Sequence, residues 1–293
     1  MEKLCDLHAH SYYSDGSLSP AELLEEARRA GLSAVVLSDH NTVAGLKEFT
    51  AYQCPGVEAV PGVEFSTEYK GSDVHILGLF VLPENYGAVN EILEAYLQRK
   101  EQSNIALVQA LCDAGMPLCY ETIRAENAGS INRAVIGRAM VEKGYCRSVQ
   151  EAFDRYFMPG QGFFVPPLRP DPYETIRFIK SIGCTAVLAH PFLSLDEQEL
   201  HTFLVEAKKA GLDAMEVYYA KYDEATTQKA RALAREFDLL ESGGSDFHGA
   251  AKPDIALGTG RGDLKIPLAL LEKLRTRSSN GQKTVKTNNN ENK

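Results

Sequence analysis

Short apolar runs alternate with amphipathic stretches along most of the chain. Leu4 to His10 suit a strand; Ser19-Pro20-Ala21-Glu22 then forms a capping box with proline at the first helical position, closed by Gly31. Ala34 to Leu37 is the next apolar strand and runs into Ser38-Asp39-His40. VEAVPGVEFST carries a strand to Glu64, and DVHILGLFV is a strand containing His75. Further on, CTAVLAHPF ends a strand at His190, AMEVYY gives one at Glu216, and LLESGGSDFHG runs one into Asp246 and His248. Helical patterns fill DPYETIRFIKSIG, DEQELHTFLVEAKKAG and EATTQKARALAREF between them. Repeating βα units favour a parallel sheet with helices outside, open or closed into a barrel.

One segment breaks this alternation. From about Pro83 to Arg169 helical patterns dominate, including YGAVNEILEAYLQRKEQSNIALVQALCDAG and INRAVIGRAMVEKGY, and no long strand interrupts them. The pattern predicts a barrel built from residues 1–82 and 170–275, with a helical insertion at 83–169 placed as a lid on one end. The last stretch, 276–293, is polar and lacks apolar periodicity, so a disordered tail is expected there.

Composition narrows the class. A chain of 293 residues, 44% hydrophobic and 24% charged, suits one large soluble domain or a barrel with an insertion. A net charge of −9 argues against a surface that coats nucleic acid, though not against a local nucleotide pocket. An anionic substrate would then need cations supplied locally. Cys5, Cys54, Cys112, Cys119, Cys146 and Cys184 are dispersed without a C-x-x-C pair, as reduced thiols of a cytosolic protein would be. The first residues lack an apolar signal-peptide core, and no apolar run nears the ~18–20 residues of a membrane span. A cytoplasmic protein without a membrane or obligate protein partner is expected.

Candidate chemistry sits at the ends of the predicted strands. His8 and His10, two apart in a strand, aim to one side. With Asp15, His40, Glu64, His75, His190, Asp246 and His248 they use six of the seven histidines; only His201 lies elsewhere, in a helical stretch. In a βα barrel the strand C-termini converge on one face, where active sites form. Imidazoles and carboxylates without cysteine suit Zn, Mn or Fe. Nine ligands exceed the need of one ion, so two or three divalent ions sharing a carboxylate fit better, with Glu64 the natural bridge.

HAHSYYSDG, LSDHNTVAG, PGVEFS, VHILGLF, LAHPF and GGSDFHG, in that order, resemble the PHP (polymerase and histidinol phosphatase) family, in its stand-alone metal-dependent phosphoesterase branch. The likeness runs from residue 5 to about 260. It implies a distorted (βα)7, TIM-like barrel of the amidohydrolase type, carrying a small helical domain and a di- or trinuclear centre. The ligand positions it implies are the same nine residues. Two departures stand out. Asn41 replaces an aspartate common in relatives. NRAVIGRA keeps Arg133 but has Val135 where relatives often place a histidine, so Arg133, with Asn132, is the expected substrate contact.

The implied chemistry is hydrolysis at phosphorus by a metal-bridging hydroxide. Asp246 and His190 are expected to take catalytic roles: Asp246 can orient that hydroxide or accept its proton, and a site histidine or a third ion can serve the leaving oxygen. The expected substrate is small and nucleotide-like: a 3′,5′-nucleoside bisphosphate, or the 5′ end of a short oligonucleotide. Alternatives are a sugar cyclic phosphate, histidinol phosphate, or a non-catalytic metal-binding module.

Overall fold

The computed structural model describes residues 2–127, 131–158 and 160–281. Seven strands stand side by side in sequence order: β1 (Cys5–Ala9), β2 (Ala34–Leu37), β3 (Glu58–Tyr69), β4 (Ser72–Leu79), β5 (Thr185–Leu188), β6 (Ala214–Tyr219) and β7 (Leu240–Gly244). The residues after β7 return to β1, Asp246 N–H donating to His8 O at 3.0 Å and His10 N–H to Phe247 O at 2.9 Å. The sheet is thereby a nearly closed barrel, the fold class the motifs imply.

The expectation of an all-parallel sheet needs correction. β4 runs antiparallel to both β3 and β5, while the other neighbouring pairs are parallel. The cause is local. Lys70 and Gly71, with φ of 52° and 85°, make a two-residue turn between paired Tyr69 and Ser72. Positive φ at both turn positions matches the twist of a tight hairpin. β3 therefore continues past Glu64 to Tyr69, and His75 lies in the first half of β4 rather than at a strand's C-terminal end.

Helices lie where the periodicity puts them. α1 (Pro20–Arg29) starts at Ser19, whose side chain accepts from the Glu22 backbone while the Glu22 carboxylate accepts from the Ser19 N–H. A short helix, α2 (Leu46–Ala51), follows β2. α7 (Pro172–Ser181), α8 (Glu197–Ala210) and α9 (Glu224–Glu236) alternate with β5 to β7, and α10 (Leu268–Thr276) closes the series. Cys5 and Leu7, Ala34 and Val36, Val60, Leu77 and Leu79, Val187 and Ala214 form one buried cluster with Leu270, Leu271 and Leu274 of α10. Alternate residues from six strands meet this way only inside the barrel. Cys5 N–H donates to Ile266 O, and Thr185 Oγ1 to Leu274 O, so α10 and its approach cover the end where β1 and β5 begin.

The disordered tail expected at 276–293 needs correction at its start: residues 276–281 are ordered. Ser278 and Asn280 are buried; Asn280 Nδ2 donates to Ile182 O at 2.8 Å and Ser278 Oγ to Gly183 O at 2.7 Å. These two hydrogen bonds to backbone carbonyls outweigh the lack of apolar periodicity. The remainder of the expected tail, 282–293, lies outside the described residues.

The chain divides into two compact units, one of residues 1–90 and 170–293, the other of 91–169. The second has no strand among its described residues. It holds most of α3 (Tyr86–Asp113), with α4 (Tyr120–Ala125), α5 (Arg133–Glu142) and α6 (Val149–Ala152), around a core of Leu107, Leu111, Ile136, Met140 and Phe157.

Candidate metal centre and active site

Nine acidic and imidazole side chains gather at one mouth of the barrel. β1 and β2 shift register between Asp6 and Ala9, an irregularity that re-aims side chains. Leu7 thus joins the core while His8 and His10 turn to the mouth. His40 follows β2 and bridges to Glu64 on β3; His75 comes from β4, His190 from the end of β5, Asp246 and His248 from the end of β7. The backbone is strained there: Asn41, His190 and Asp246 have φ of 52°, 27° and 56°. Such conformations persist where surrounding structure enforces them, often at functional sites.

The donor atoms fall into four overlapping groups, each within 4.8 Å: His8, Glu64 and His190; His40, Glu64 and His75; His8, His10 and Asp246; His10, Asp15, His40 and His248. Every candidate from the strand ends, Asp15 and His75 included, belongs to one of them. Glu64, wholly buried, belongs to two. Its Oε2 lies 3.0–3.3 Å from nitrogens of His8, His10 and His40, yet it forms no hydrogen bond of proper geometry. His40 Nδ1, His10 Nδ1 and His248 Nε2 are buried without one as well. Close atoms whose lone pairs miss one another are arranged as ligands round a shared cation are. The residues present fit divalent ions.

A supporting layer fixes the imidazoles. Glu216, buried on β6, accepts from His8 Nδ1 at 3.0 Å and from the His190 backbone N–H at 2.7 Å. Because a carboxylate only accepts, Nδ1 of His8 carries the proton and Nε2 presents its lone pair. His248 Nδ1 donates to Asp246 O at 2.8 Å, which likewise leaves Nε2 bare, 3.2 Å from Asp15 Oδ1. Asp246 Oδ2 accepts from Tyr219 at 2.9 Å and Lys252 at 2.8 Å, turning Oδ1 toward His10 at 3.3 Å. Asp39, buried, accepts from Ser11 and Ser14 and so shapes the loop that carries Asp15. The Asn41 carboxamide pairs with Ser66 through both its atoms, so the departure from aspartate is absorbed by a neutral partner.

The charges are tightly coupled. Burial opposes ionisation of Glu64, but His40, His8 and His75 hold it well below the usual carboxylate range. Burial would keep His75 neutral, but Glu64 and Asp73 push it up to about 10. Burial, with His10 beside it, pushes His248 down to about 4.

His201 lies apart from the donor groups, as expected, and Asn132, Arg133 and Val135 belong to the helical unit. His201 is exposed on α8 and pairs with Glu236 at 2.8 Å. Asn132 caps α5 by accepting from Val135 N–H at 3.0 Å, and Val135 is buried in the helical unit. Arg133 donates to Phe157 O at 2.8 Å, its guanidinium 4.4 Å from the Phe164 ring centroid and 5.3 Å from that of Phe153. Glu216, Tyr219 and Lys252 were not among the expected residues. A glutamate inside the apolar run AMEVYY is the one signal that could have pointed to Glu216.

A nearly closed barrel of seven strands with a histidine and carboxylate cluster at its mouth defines a metal-dependent hydrolase of the barrel type. The chain belongs to the PHP domain family, which it matches over residues 6–158. It is 34% identical over 250 residues to a 5′-3′ exoribonuclease of Haemophilus influenzae, covering 85% of this chain and 91% of that protein. It is 28% identical over 250 residues to the 3′,5′-nucleoside bisphosphate phosphatase of Chromobacterium violaceum, covering 83% and 86%. A crystal structure assigned to a metal-dependent phosphoesterase of Bifidobacterium adolescentis superposes with a TM-score of 0.79 at 25% identity, covering 94% and 96%. The chain is a phosphoesterase of the PHP family, hence a hydrolase.

Proposed function

We propose that this phosphoesterase acts on small nucleotide-type substrates, of the 3′,5′-nucleoside bisphosphate or short-oligonucleotide kind, with two to three divalent ions. The observation that carries this reading is the sharing of Glu64 between two donor groups beside a cavity of about 230 Å³ that Lys221 and Lys252 also line. His8, Glu64 and His190 would hold one ion; His40, Glu64 and His75 a second; His10, Asp15, His40 and His248 a third. Asp246 adds its Oδ1 near His8 and His10. Ions bound there supply Lewis-acid neutralisation of phosphoryl charge and a water of lowered pKa.

The chain's own groups do the rest. Asp246, steadied by Tyr219 and Lys252, is placed to orient the attacking water and accept its proton. His190 lines the same cavity, and the ion it would hold there could neutralise the leaving oxygen.

Turnover by protein reconstituted with Mn²⁺ tests the proposal on nucleoside bisphosphates, short oligonucleotides, a sugar cyclic phosphate and histidinol phosphate. The nucleotide substrates should have the highest kcat/KM. Preference for the cyclic or histidinol phosphate would reassign the substrate, and no hydrolysis of any phosphoester would overturn the reading.

A further inference from the structure

The cavity beside the donor groups is too small for a complete nucleotide-type substrate. Its volume of about 230 Å³ falls below the ~300–1,000 Å³ of pockets that enclose small organic ligands. A second cavity of about 360 Å³ adjoins it, lined by Phe192, Tyr222, Thr226 and Lys229 among others. Leu193 and Lys221 belong to both walls, and the two volumes together fall within that range. A substrate longer than its reacting group would reach the second cavity past these two side chains.

Lys221 follows β6, the strand that carries Glu216. Of the lysines on these walls, Lys252 is paired with Asp246 at 2.8 Å and Lys229 with Glu197 at 2.9 Å. Lys221 is exposed and forms no ion pair among the described residues. Asp254, an acidic group it influences, pairs with Arg261 at 2.9 Å. Beyond it the wall is partly aromatic: the Phe192 N–H donates to the Tyr222 hydroxyl at 3.0 Å, with the rings edge to face at 5.9 Å, and the Asp223 carboxylate on the same wall is engaged by the Thr226 N–H at 2.8 Å. An unpaired ammonium between a phosphate-reacting cluster and an aromatic wall suits an anionic group one step removed from the reacting one.

We propose that Lys221 binds a second phosphate of the substrate and is a specificity-determining residue; this rests on the nucleotide-phosphoesterase reading above. The test compares the unaltered protein with Lys221→Ala and Lys221→Arg, each loaded with Mn²⁺. The substrates are adenosine 3′,5′-bisphosphate and p-nitrophenyl phosphate, which has no second anion. In Lys221→Ala the KM for the bisphosphate should rise about tenfold to a hundredfold, as for loss of a charge-assisted contact. Any dependence of that KM on salt should weaken too, while metal content and Tm stay unchanged and the KM for the monophosphate stays within about twofold. Lys221→Arg, retaining the charge, should recover most of the loss. Equal changes for both substrates, or none for either, would overturn the assignment to Lys221 while leaving the phosphoesterase intact. Failure of the unaltered protein to hydrolyse either compound or any oligonucleotide would overturn the functional reading, and this assignment with it.

Discussion

Glu216 illustrates how one buried carboxylate can govern a site it does not enter. It accepts from His8 through Nδ1 and from the backbone of His190, so it sets both the proton position of one donor and the placement of another. Glu216→Ala strands two buried donors. Metal affinity should fall about tenfold to a hundredfold, the usual cost of losing an outer partner of a ligating histidine. Stability should fall by about 1–3 kcal/mol from the unsatisfied groups. Metal titration and thermal unfolding measure the two effects. Glu216→Gln keeps an acceptor oxygen and should recover part of each. Unchanged metal affinity in Glu216→Ala would remove Glu216 from this positioning role. Nothing in the sequence could name its partner, because His8 lies 208 residues away.

The elements fall into those a local pattern specifies and those it does not. α1 was legible because its signals are local: Ser19, Pro20 and Glu22 satisfy the first turn within four residues. Most donor residues were legible because they follow or occupy an apolar run; Asp15, on the loop after β1, was legible only through the HAHSYYSDG motif. Strand direction was not, since alternating apolar residues read alike in parallel and antiparallel pairs; only the Lys70-Gly71 turn reported the β3–β4 hairpin. Lys221 and Lys252 carried no signal, because a lone lysine in a loop resembles any solvated charge. Close packing of β7 on β1 was equally hidden. A Cβ on Gly244 would lie 2.2 Å from His8 Cβ and 2.7 Å from His8 N. Gly244→Ala must therefore push β7 off β1 at the point where His8 turns into the site. Overpacking of this kind costs about 1–3 kcal/mol. The expected outcome is a lower Tm together with weaker metal binding, read by calorimetry. Wild-type metal affinity in this variant would show that His8 tolerates the displacement.

At the scale of the whole molecule, the site gathers carboxylates and imidazoles whose donor atoms a shared cation would engage. Glu64, Asp246 and Asp15 are all held ionised by imidazoles, six of which crowd one mouth. Binding of ions to the native state alone adds about 2.7 kcal/mol per site at a hundredfold excess over Kd. Chelation with EDTA should accordingly lower Tm by several degrees, and Mn²⁺ should restore it in a concentration-dependent way. A Tm indifferent to both would speak against ions at this mouth. Among the described residues no helix is long and apolar enough to cross a membrane.

The closure of β7 onto β1 also sets when the molecule becomes an enzyme. Ser245 N–H donates to Asp6 across 239 residues, and Asp246 completes the donor set begun by His8 and His10. At ~5–20 residues per second, a ribosome needs on the order of ten to fifty seconds between the two. Throughout that interval the emerging polypeptide displays its first histidines without the carboxylate proposed to handle the proton. A product released early, anywhere before β7, therefore lacks Asp246 and is expected to be inert toward phosphoesters, so competence waits on the segment that carries Asp246.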